Sequence, residues 1–220
     1  MEKLGFNPSD ITVYGWSIGG YPTAYIANSH PEIGNIILDA SFDDILPLAT
    51  PRMPEFFETV TVNCCKKYFN LHNSKLIAGY SGPIRVIRRN RDEIISTNGR
   101  ASGNRGNFLL LAILESRYPA LFSDDEVKTM LDDWLDIFKP AERQLTIPSG
   151  FDSAFCKRHI QQFPEPPYTG LGEGLESEKK VMLAYYIFSK ILTDCEGGHN
   201  HQLPSEYFKM PWKHSDEGPL

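Results

Sequence analysis

The chain has 220 residues, of which 41% are hydrophobic and 23% are charged, and these proportions exclude an intrinsically disordered chain. At this length one domain of ordinary size can bury a hydrophobic core. The net charge of −6 gives no electrostatic basis for binding nucleic acid, and no apolar run approaches the roughly 18 residues that a membrane-spanning helix needs.

Predicted strands and helices alternate along the N-terminal part of the chain. Runs of β-branched and aromatic residues predict strands, and apolar residues at helical spacing predict helices. In chain order they are a strand over 11–14, a helix over 18–29, a strand over 36–38, a helix over 55–68 and a strand over 83–88. This alternation is typical of an α/β fold, with three parallel strands and flanking helices.

The C-terminal part is predicted to be mainly helical. Helices are expected over 108–118 and 178–194, with loop over most of 140–176. Ser123 and Glu126 form a capping box that predicts the start of one more helix. Behind it lies an apolar stripe, which indicates core packing or the wall of a substrate groove: Val127, Met130, Leu131, Trp134, Leu135 and Phe138.

The four cysteines show no C-x-x-C spacing, and the adjacent pair Cys64-Cys65 would form a strained disulfide. We therefore predict a reduced compartment. The string Cys64-Cys65-Lys66-Lys67 also fits an acylation site beside basic residues. The simpler interpretation is a pair of buried or half-buried thiols on a helix.

Ser17 lies between Gly15 and Gly19 in VYGWSIGG, directly after the first predicted strand. A serine on a very tight strand-to-helix turn needs neighbours without side chains, because a Cβ there would collide with the turn. Such a turn presents the hydroxyl to a substrate and a base. A plain glycine-rich turn is the alternative, but the strand before Ser17 and the helix after it favour a nucleophile.

Two further residues fit the same chemistry. Reactive groups collect at the carboxyl ends of parallel strands, and Asp92 follows the third predicted strand, while His199 lies near the end of the chain. The order Ser, Asp, His is that of α/β-hydrolases. In such a set the histidine takes the serine proton, and the carboxylate orients the histidine.

Both partners have rivals in the sequence. Asp39 also ends a predicted strand, and His201 lies two residues after His199. We favour Asp92, since an aspartate at a strand end followed by Glu-Ile-Ile matches where these enzymes place their acid. The spacing of Cys195, His199 and His201 also suggests a metal site, but no fourth ligand is spaced to complete it.

Several longer segments resemble the membrane-associated phosphatidylserine lipases of the α/β-hydrolase superfamily, the group numbered sixteen among the α/β-hydrolase domain-containing proteins. These segments are YGWSIGG, ILDASFDD, GPIRVIRRNRDEIIST, GNRGN and LPSEYFKMPW. The resemblance runs through most of the chain and is strongest over 4–150 and 196–212. It implies that residues 1–220 are the C-terminal portion of an α/β-hydrolase domain, with a helical, lid-like insertion at about 108–190.

The resemblance also implies roles for individual residues. Ser17 matches the nucleophile, Asp92 the acid and His199 the base, which stands five residues before Pro204. The backbone N–H of Ile18, the residue after the nucleophile, is the expected oxyanion donor. No cofactor and no metal are implied.

The implied reaction is hydrolysis of an acyl ester of a phospholipid to a lysophospholipid and a fatty acid, with monoacylglycerol as a second substrate. The implied location is the surface of a membrane of the endoplasmic-reticulum type. One alternative is a shortened, non-catalytic isoform that binds lipid or partner proteins. Another is a hydrolase of small esters or peptides on the same scaffold.

Relatives in this group begin far upstream, with membrane-anchoring segments and the first strands of the sheet. Their second oxyanion donor comes from a glycine-containing loop after an earlier strand, and we expect that loop to lie upstream of Met1. Without the upstream strands, the strand predicted over 11–14 would expose an unpaired apolar edge, so we expect the chain alone to be poorly soluble or dimeric. We also expect it to be at best feebly active, because losing one oxyanion donor costs about 10² to 10³ in rate.

Overall fold

The computed structural model describes residues 5–69, 71–137, 139, 142, 146–163 and 168–208. Four parallel strands pair in the order of the chain and form one sheet. They are β1 (Thr12–Trp16), β2 (Asn35–Asp39), β3 (Ile84–Arg89) and β4 (Leu192–Cys195). The α/β class with parallel strands and flanking helices, predicted from the sequence, is confirmed.

The fourth strand corrects the prediction of three. The sequence predicted one helix over 178–194, but that helix ends at Ile191 and β4 begins at the next residue. No glycine or proline marks the boundary. Pairing with β3, in which Val86 lies opposite Leu192 and Arg89 opposite Cys195, makes the strand. This pairing is a tertiary effect that overrides the local helical pattern.

Helices cover the sheet and fill the segment between β3 and β4. Short turns of 3₁₀-helix adjoin several of them: Ser17–Gly19 directly precedes α1, Thr50–Arg52 directly follows α2 and Glu55–Phe57 directly precedes α3. In the described residues the α-helices are α1 (Gly20–Ser29), α2 (Leu46–Ala49), α3 (Glu58–Tyr68), α4 (Asn73–Ile77), α5 (Arg105–Arg117), α6 (Pro119–Phe122), α7 (Asp125–Asp136), α8 (Ser153–Ile160) and α9 (Ser177–Ile191).

Two of these helices begin differently from the prediction. The cap of α7 is Asp124, whose carboxylate accepts the N–H groups of Glu126 and Val127, so the predicted Ser123–Glu126 capping box is wrong. Helix α8 lies in the segment expected to be mostly loop and is capped in the same way by Asp152.

The main hydrophobic cluster lies on the face of the sheet that α1, α4, α5 and α9 cover, and it contains Ile36, Leu38 and Val86. The predicted apolar stripe of α7 packs into the same cluster through Val127, Leu131, Trp134 and Leu135, while Met130 is partly buried and Phe138 lies outside the described residues. A second, smaller cluster on the opposite face joins Ile37, Ile87 and Cys195 to Leu203 and Tyr207.

All four cysteines are free thiols. Cys65 is half-buried, as expected, but Cys64 is exposed on α3, so the prediction of a buried pair is wrong for that residue. None of the helices in the described part of the chain combines the length and apolar character that crossing a bilayer requires.

A buried ion pair joins β3 to β4 and to the helical segment. The Arg88 guanidinium lies 2.8 Å from the Asp194 carboxylate and 2.8 Å from the Asn107 amide oxygen, and it also donates to the carbonyls of Leu135 and Ile137. Arg88 is fully buried. The start of α5 and the end of α7 are thereby fixed to β3, the strand that precedes Asp92.

We predict that Asp194→Ala lowers the free energy of unfolding by about 3–5 kcal/mol, because it leaves the buried guanidinium without its carboxylate. The control is Asp132→Ala, which changes an exposed carboxylate on α7 and should stay within about 0.5 kcal/mol of the parent. Urea unfolding measures both, and equal midpoints for the two variants would contradict the prediction.

Candidate active site

Ser17 lies on the turn between β1 and α1 with φ of 55°, in the left-handed region that residues other than glycine rarely adopt. The turn is a single 3₁₀ turn, Ser17–Gly19, so the chain passes from strand to helix with almost no loop. This geometry is the sharp strand-to-helix turn that the sequence predicted.

The glycines around Ser17 are required to different extents. A Cβ at Gly15 would lie 2.4 Å from Thr23 Oγ1 and 2.5 Å from the carbonyl oxygen of Gly19. A Cβ at Gly20 would lie 1.9 Å from Ser41 Oγ, whereas one at Gly19 would meet nothing within 4 Å. The expectation that both flanking glycines avoid a collision is therefore right for Gly15 and wrong for Gly19, since close packing involves Gly20 instead.

The structure brings Ser17, Asp92 and His199 together from three different loops at the carboxyl edge of the sheet. His199 Nε2 lies 2.9 Å from Ser17 Oγ, and His199 Nδ1 lies 2.9 Å from each carboxylate oxygen of Asp92. Asp92 is 4% exposed and His199 is 5% exposed. In this arrangement the imidazole can take the hydroxyl proton while the carboxylate fixes its tautomer and stabilises its charged form.

The Asp92 carboxylate is held by its own loop. Its Oδ1 accepts the backbone N–H groups of Ile94 and Ile95, each at 2.9 Å. These two hydrogen bonds fix the orientation of the carboxylate that contacts the imidazole.

The rival carboxylate, Asp39, occupies a different place. It forms a buried bidentate pair with Arg89, with distances of 2.9 and 2.7 Å, and it accepts the Tyr14 hydroxyl at 2.6 Å. Burial and this hydrogen bond raise the pKa of Tyr14 well above its usual value. The rival histidine, His201, is exposed, and its backbone carbonyl accepts a hydrogen bond from Arg89.

Residues next to Ser17 and Asp92 hold the backbone of His199, and the sequence analysis missed them. Trp16 Nε1 donates to the His199 carbonyl at 3.2 Å, and the Glu93 carboxylate accepts the His199 N–H at 3.1 Å. The N–H groups of Glu93 itself and of His199 lower the pKa of the Glu93 carboxyl. The only signal in the sequence is adjacency, since Trp16 precedes the serine and Glu93 follows the aspartate.

Ile18 directly follows Ser17 and lies in the first turn of the 3₁₀-helix. Backbone N–H groups at a helix start have no partner inside the helix and are free to face an anion. The side chain of Ile18 is exposed, next to Ser17 in the same turn.

No group of three or more histidine, cysteine, aspartate or glutamate side chains among the described residues is arranged to hold a metal ion. Both ring nitrogens of His199 are instead engaged by Ser17 and Asp92. A cavity of about 420 Å³ opens nearby, and its walls come from β1, from the end of β3 and from the segment after β4: Tyr14, Trp16, Arg89, His201, Leu203 and Phe208.

Comparison with known proteins confirms the resemblance to phosphatidylserine lipases. The chain is 35% identical to Phosphatidylserine lipase ABHD16A of Bos taurus and 34% identical to that of Homo sapiens, in each case over 96% of this chain and 39% of the relative. An uncharacterised protein of Caenorhabditis elegans is 34% identical over 96% of the chain and 40% of its own length.

The chain therefore spans about two fifths of the length of these curated relatives, and it matches the C-terminal 39% of the lipases. No family model matches the chain, and no solved structure matches it.

We expect Gly15→Ala and Gly19→Ala to separate the two glycines that flank Ser17. Gly15→Ala should lower the free energy of unfolding by about 1–3 kcal/mol, because backbone and side-chain atoms crowd the new methyl group. Gly19→Ala should be neutral or stabilising by about 0.4–1 kcal/mol, because Gly19 has helical dihedral angles and open space. Thermal or urea unfolding tests both, and equal losses would show that the predicted crowding is absent.

Proposed function

We propose that this chain, which matches the C-terminal 39% of the phosphatidylserine lipases, carries the catalytic triad of a serine hydrolase that cleaves an acyl ester of a phospholipid. The observation that carries the proposal is the hydrogen-bonded series from Ser17 Oγ through the His199 ring to the Asp92 carboxylate. Curated relatives bear the name of an ester hydrolase, which supports the same reaction class.

In the proposed mechanism Ser17 Oγ attacks the ester carbonyl and its proton passes to His199 Nε2. The negative charge on the carbonyl oxygen is stabilised by the N–H of Ile18. When the carbon–oxygen bond to the lysophospholipid breaks, His199 returns the proton to the leaving alcohol. Water then attacks the acyl-enzyme in the same way and releases the fatty acid.

The proposed substrate is a phosphatidylserine-type phospholipid, with monoacylglycerol as a second substrate. Such substrates reside in membranes, so the protein is proposed to act at the surface of an endoplasmic-reticulum-type membrane, facing a reduced compartment. Its four free cysteines are consistent with that compartment. We also propose that the insertion at about residues 108–190 makes lid-like lipid contacts through its part between α5 and α9, because α5 and α9 themselves pack against the sheet. A cavity of about 540 Å³ between α7 and α9, walled by Met130 and Val181, supports this role.

We predict that a fluorophosphonate probe labels Ser17 in the 220-residue chain, because the probe reacts with serines that an adjacent base activates. Ser17→Ala should abolish labelling, whereas the control Ser29→Ala, at the end of α1, should leave it unchanged. His199→Ala should suppress labelling and His201→Ala should not. Absence of label in the folded parent would instead support a non-catalytic, lipid-binding or protein-binding chain.

We predict opposite effects for the two strand-end carboxylates. Asp92→Asn should lower turnover of a short-chain nitrophenyl ester by about 10⁴-fold with little change in stability, because it permits the wrong imidazole tautomer. Asp39→Asn should mainly lower the free energy of unfolding, by about 3–5 kcal/mol, since it leaves Arg89 without its carboxylate. Ester hydrolysis and urea unfolding are measured on both variants, and the reverse pattern would make Asp39 the acid.

A further inference from the structure

The segment between α2 and α4 carries a concentration of exposed apolar side chains. We call this group, which lies within residues 53–69, the α3 surface. Its members are Met53, Phe56, Phe57, Val60, Tyr68 and Phe69. Phe56 is 78% exposed and Val60 is 62% exposed. Exposed apolar side chains that occur as a group mark interaction sites on protein surfaces, whereas single exposed apolar residues need no explanation.

Helix α3 exposes two of its apolar side chains, Val60 and Tyr68, to solvent. None of its residues is buried, and Thr61, Val62 and Cys65 are half-buried on the inward side. Phe56 lies in the 3₁₀ turn Glu55–Phe57 directly before α3, and Val60 lies in the first turn of α3, so the two exposed side chains are neighbours at the start of the helix. A helix that only covers a core buries most of its apolar residues, so core packing does not explain the exposure of Val60 and Tyr68.

The charges on this segment favour an anionic partner. Lys66 and Lys67 lie in the last turn of α3, although the chain as a whole has a net charge of −6. Lys67 Nζ lies 5.0 Å from the centre of the Tyr68 ring, so the cation and the aromatic ring share one surface. The acidic residues Glu55 and Glu58 lie at the other end of the segment. Phenylalanine and tyrosine beside lysine are typical of helices that lie in a membrane interface.

The residue that directly precedes the α3 surface is bonded to the loop that carries Asp92. Arg52, in the turn that precedes α3, donates hydrogen bonds to the carbonyls of Glu93 and Ile94, the two residues after Asp92. Ile94 and Ile18 are both exposed, and each is close in sequence to a member of the proposed triad. Apolar surface therefore occurs both on α3 and in the loops that carry Ser17 and Asp92.

We propose that the α3 surface docks on an anionic phospholipid bilayer, with its exposed apolar side chains in the interface and Lys66 and Lys67 against the lipid phosphates and carboxylates. The proposal rests on the proposed function, since a phospholipid ester must be reached in its bilayer. Docking at α3 places the loop that carries Asp92, and with it the Ser17 hydroxyl, beside the lipid surface.

The test is co-sedimentation of the Ser17→Ala chain with vesicles of phosphatidylcholine alone or with about three tenths phosphatidylserine. The test variant carries Phe56→Ser and Val60→Ser. Its matched control carries Phe6→Ser and Tyr25→Ser, which change side chains that are 61% and 56% exposed elsewhere on the protein. The test pair should weaken binding to phosphatidylserine vesicles about tenfold or more, and the control pair should leave it unchanged.

A variant that removes two positive charges provides a second test of the proposal. Lys66→Gln and Lys67→Gln should weaken binding to phosphatidylserine vesicles by about fivefold for each lysine and leave binding to phosphatidylcholine unaltered. Lys128→Gln with Lys157→Gln is the control for net charge.

Equal binding by the α3 variants and their controls would overturn the proposal, and so would absence of vesicle binding by the parent. Conversion of a parent dimer into a monomer by the α3 variants, without any vesicle binding, would show that the surface binds a second copy of the chain. Vesicle binding is read on the Ser17→Ala chain and probe labelling on the parent. Failure of docking is thereby distinguished from failure of the catalytic proposal.

Discussion

The arrangement of the loops at the carboxyl edge of the sheet depends on the buried guanidinium of Arg89. It pairs with Asp39 at the end of β2, and it donates to the carbonyls of Gly198 and His201 in the loop after β4. A buried cation is stable only when its donors are used, so these groups must stay where the guanidinium reaches them. His199 lies between the two bonded carbonyls, and its ring position is therefore set in part by a side chain that does not touch it.

Two aspartates at strand ends show how far sequence position determines chemistry. Asp39 and Asp92 both follow a buried strand, and the sequence offered no physical distinction between them except the residues that follow. Their neighbours in space differ: a guanidinium neutralises Asp39, while Asp92 meets two backbone N–H groups and an imidazole. The sequence analysis placed Arg89 just after the strand predicted over 83–88, whereas β3 includes it, and its reach across to β2 becomes apparent only when the sheet is assembled.

Much of the fold was predictable because its signals are local. The β-branched runs gave β1, β2 and β3, and the Gly-x-Ser pattern gave the turn that carries Ser17. The four-residue strand β4 was missed, because its structure comes from pairing with β3 rather than from its own residues. Trp16 and Glu93 were missed for a similar reason: both bond the backbone of a residue far along the chain, and a backbone group has no signature in the sequence.

Helix α9 runs into β4 without an intervening residue, since one ends at Ile191 and the other begins at Leu192. This junction contains no loop residue that could absorb an insertion. Residues added in the loops between α5 and α9 can be absorbed at the surface, whereas one residue added between helix and strand would shift the pairing register. Every side chain of β4 would then turn to the other face of the sheet, Asp194 would leave Arg88, and the segment that leads to His199 would start from the wrong side. The segment between α5 and α9 can vary in length, but the last turn of α9 cannot.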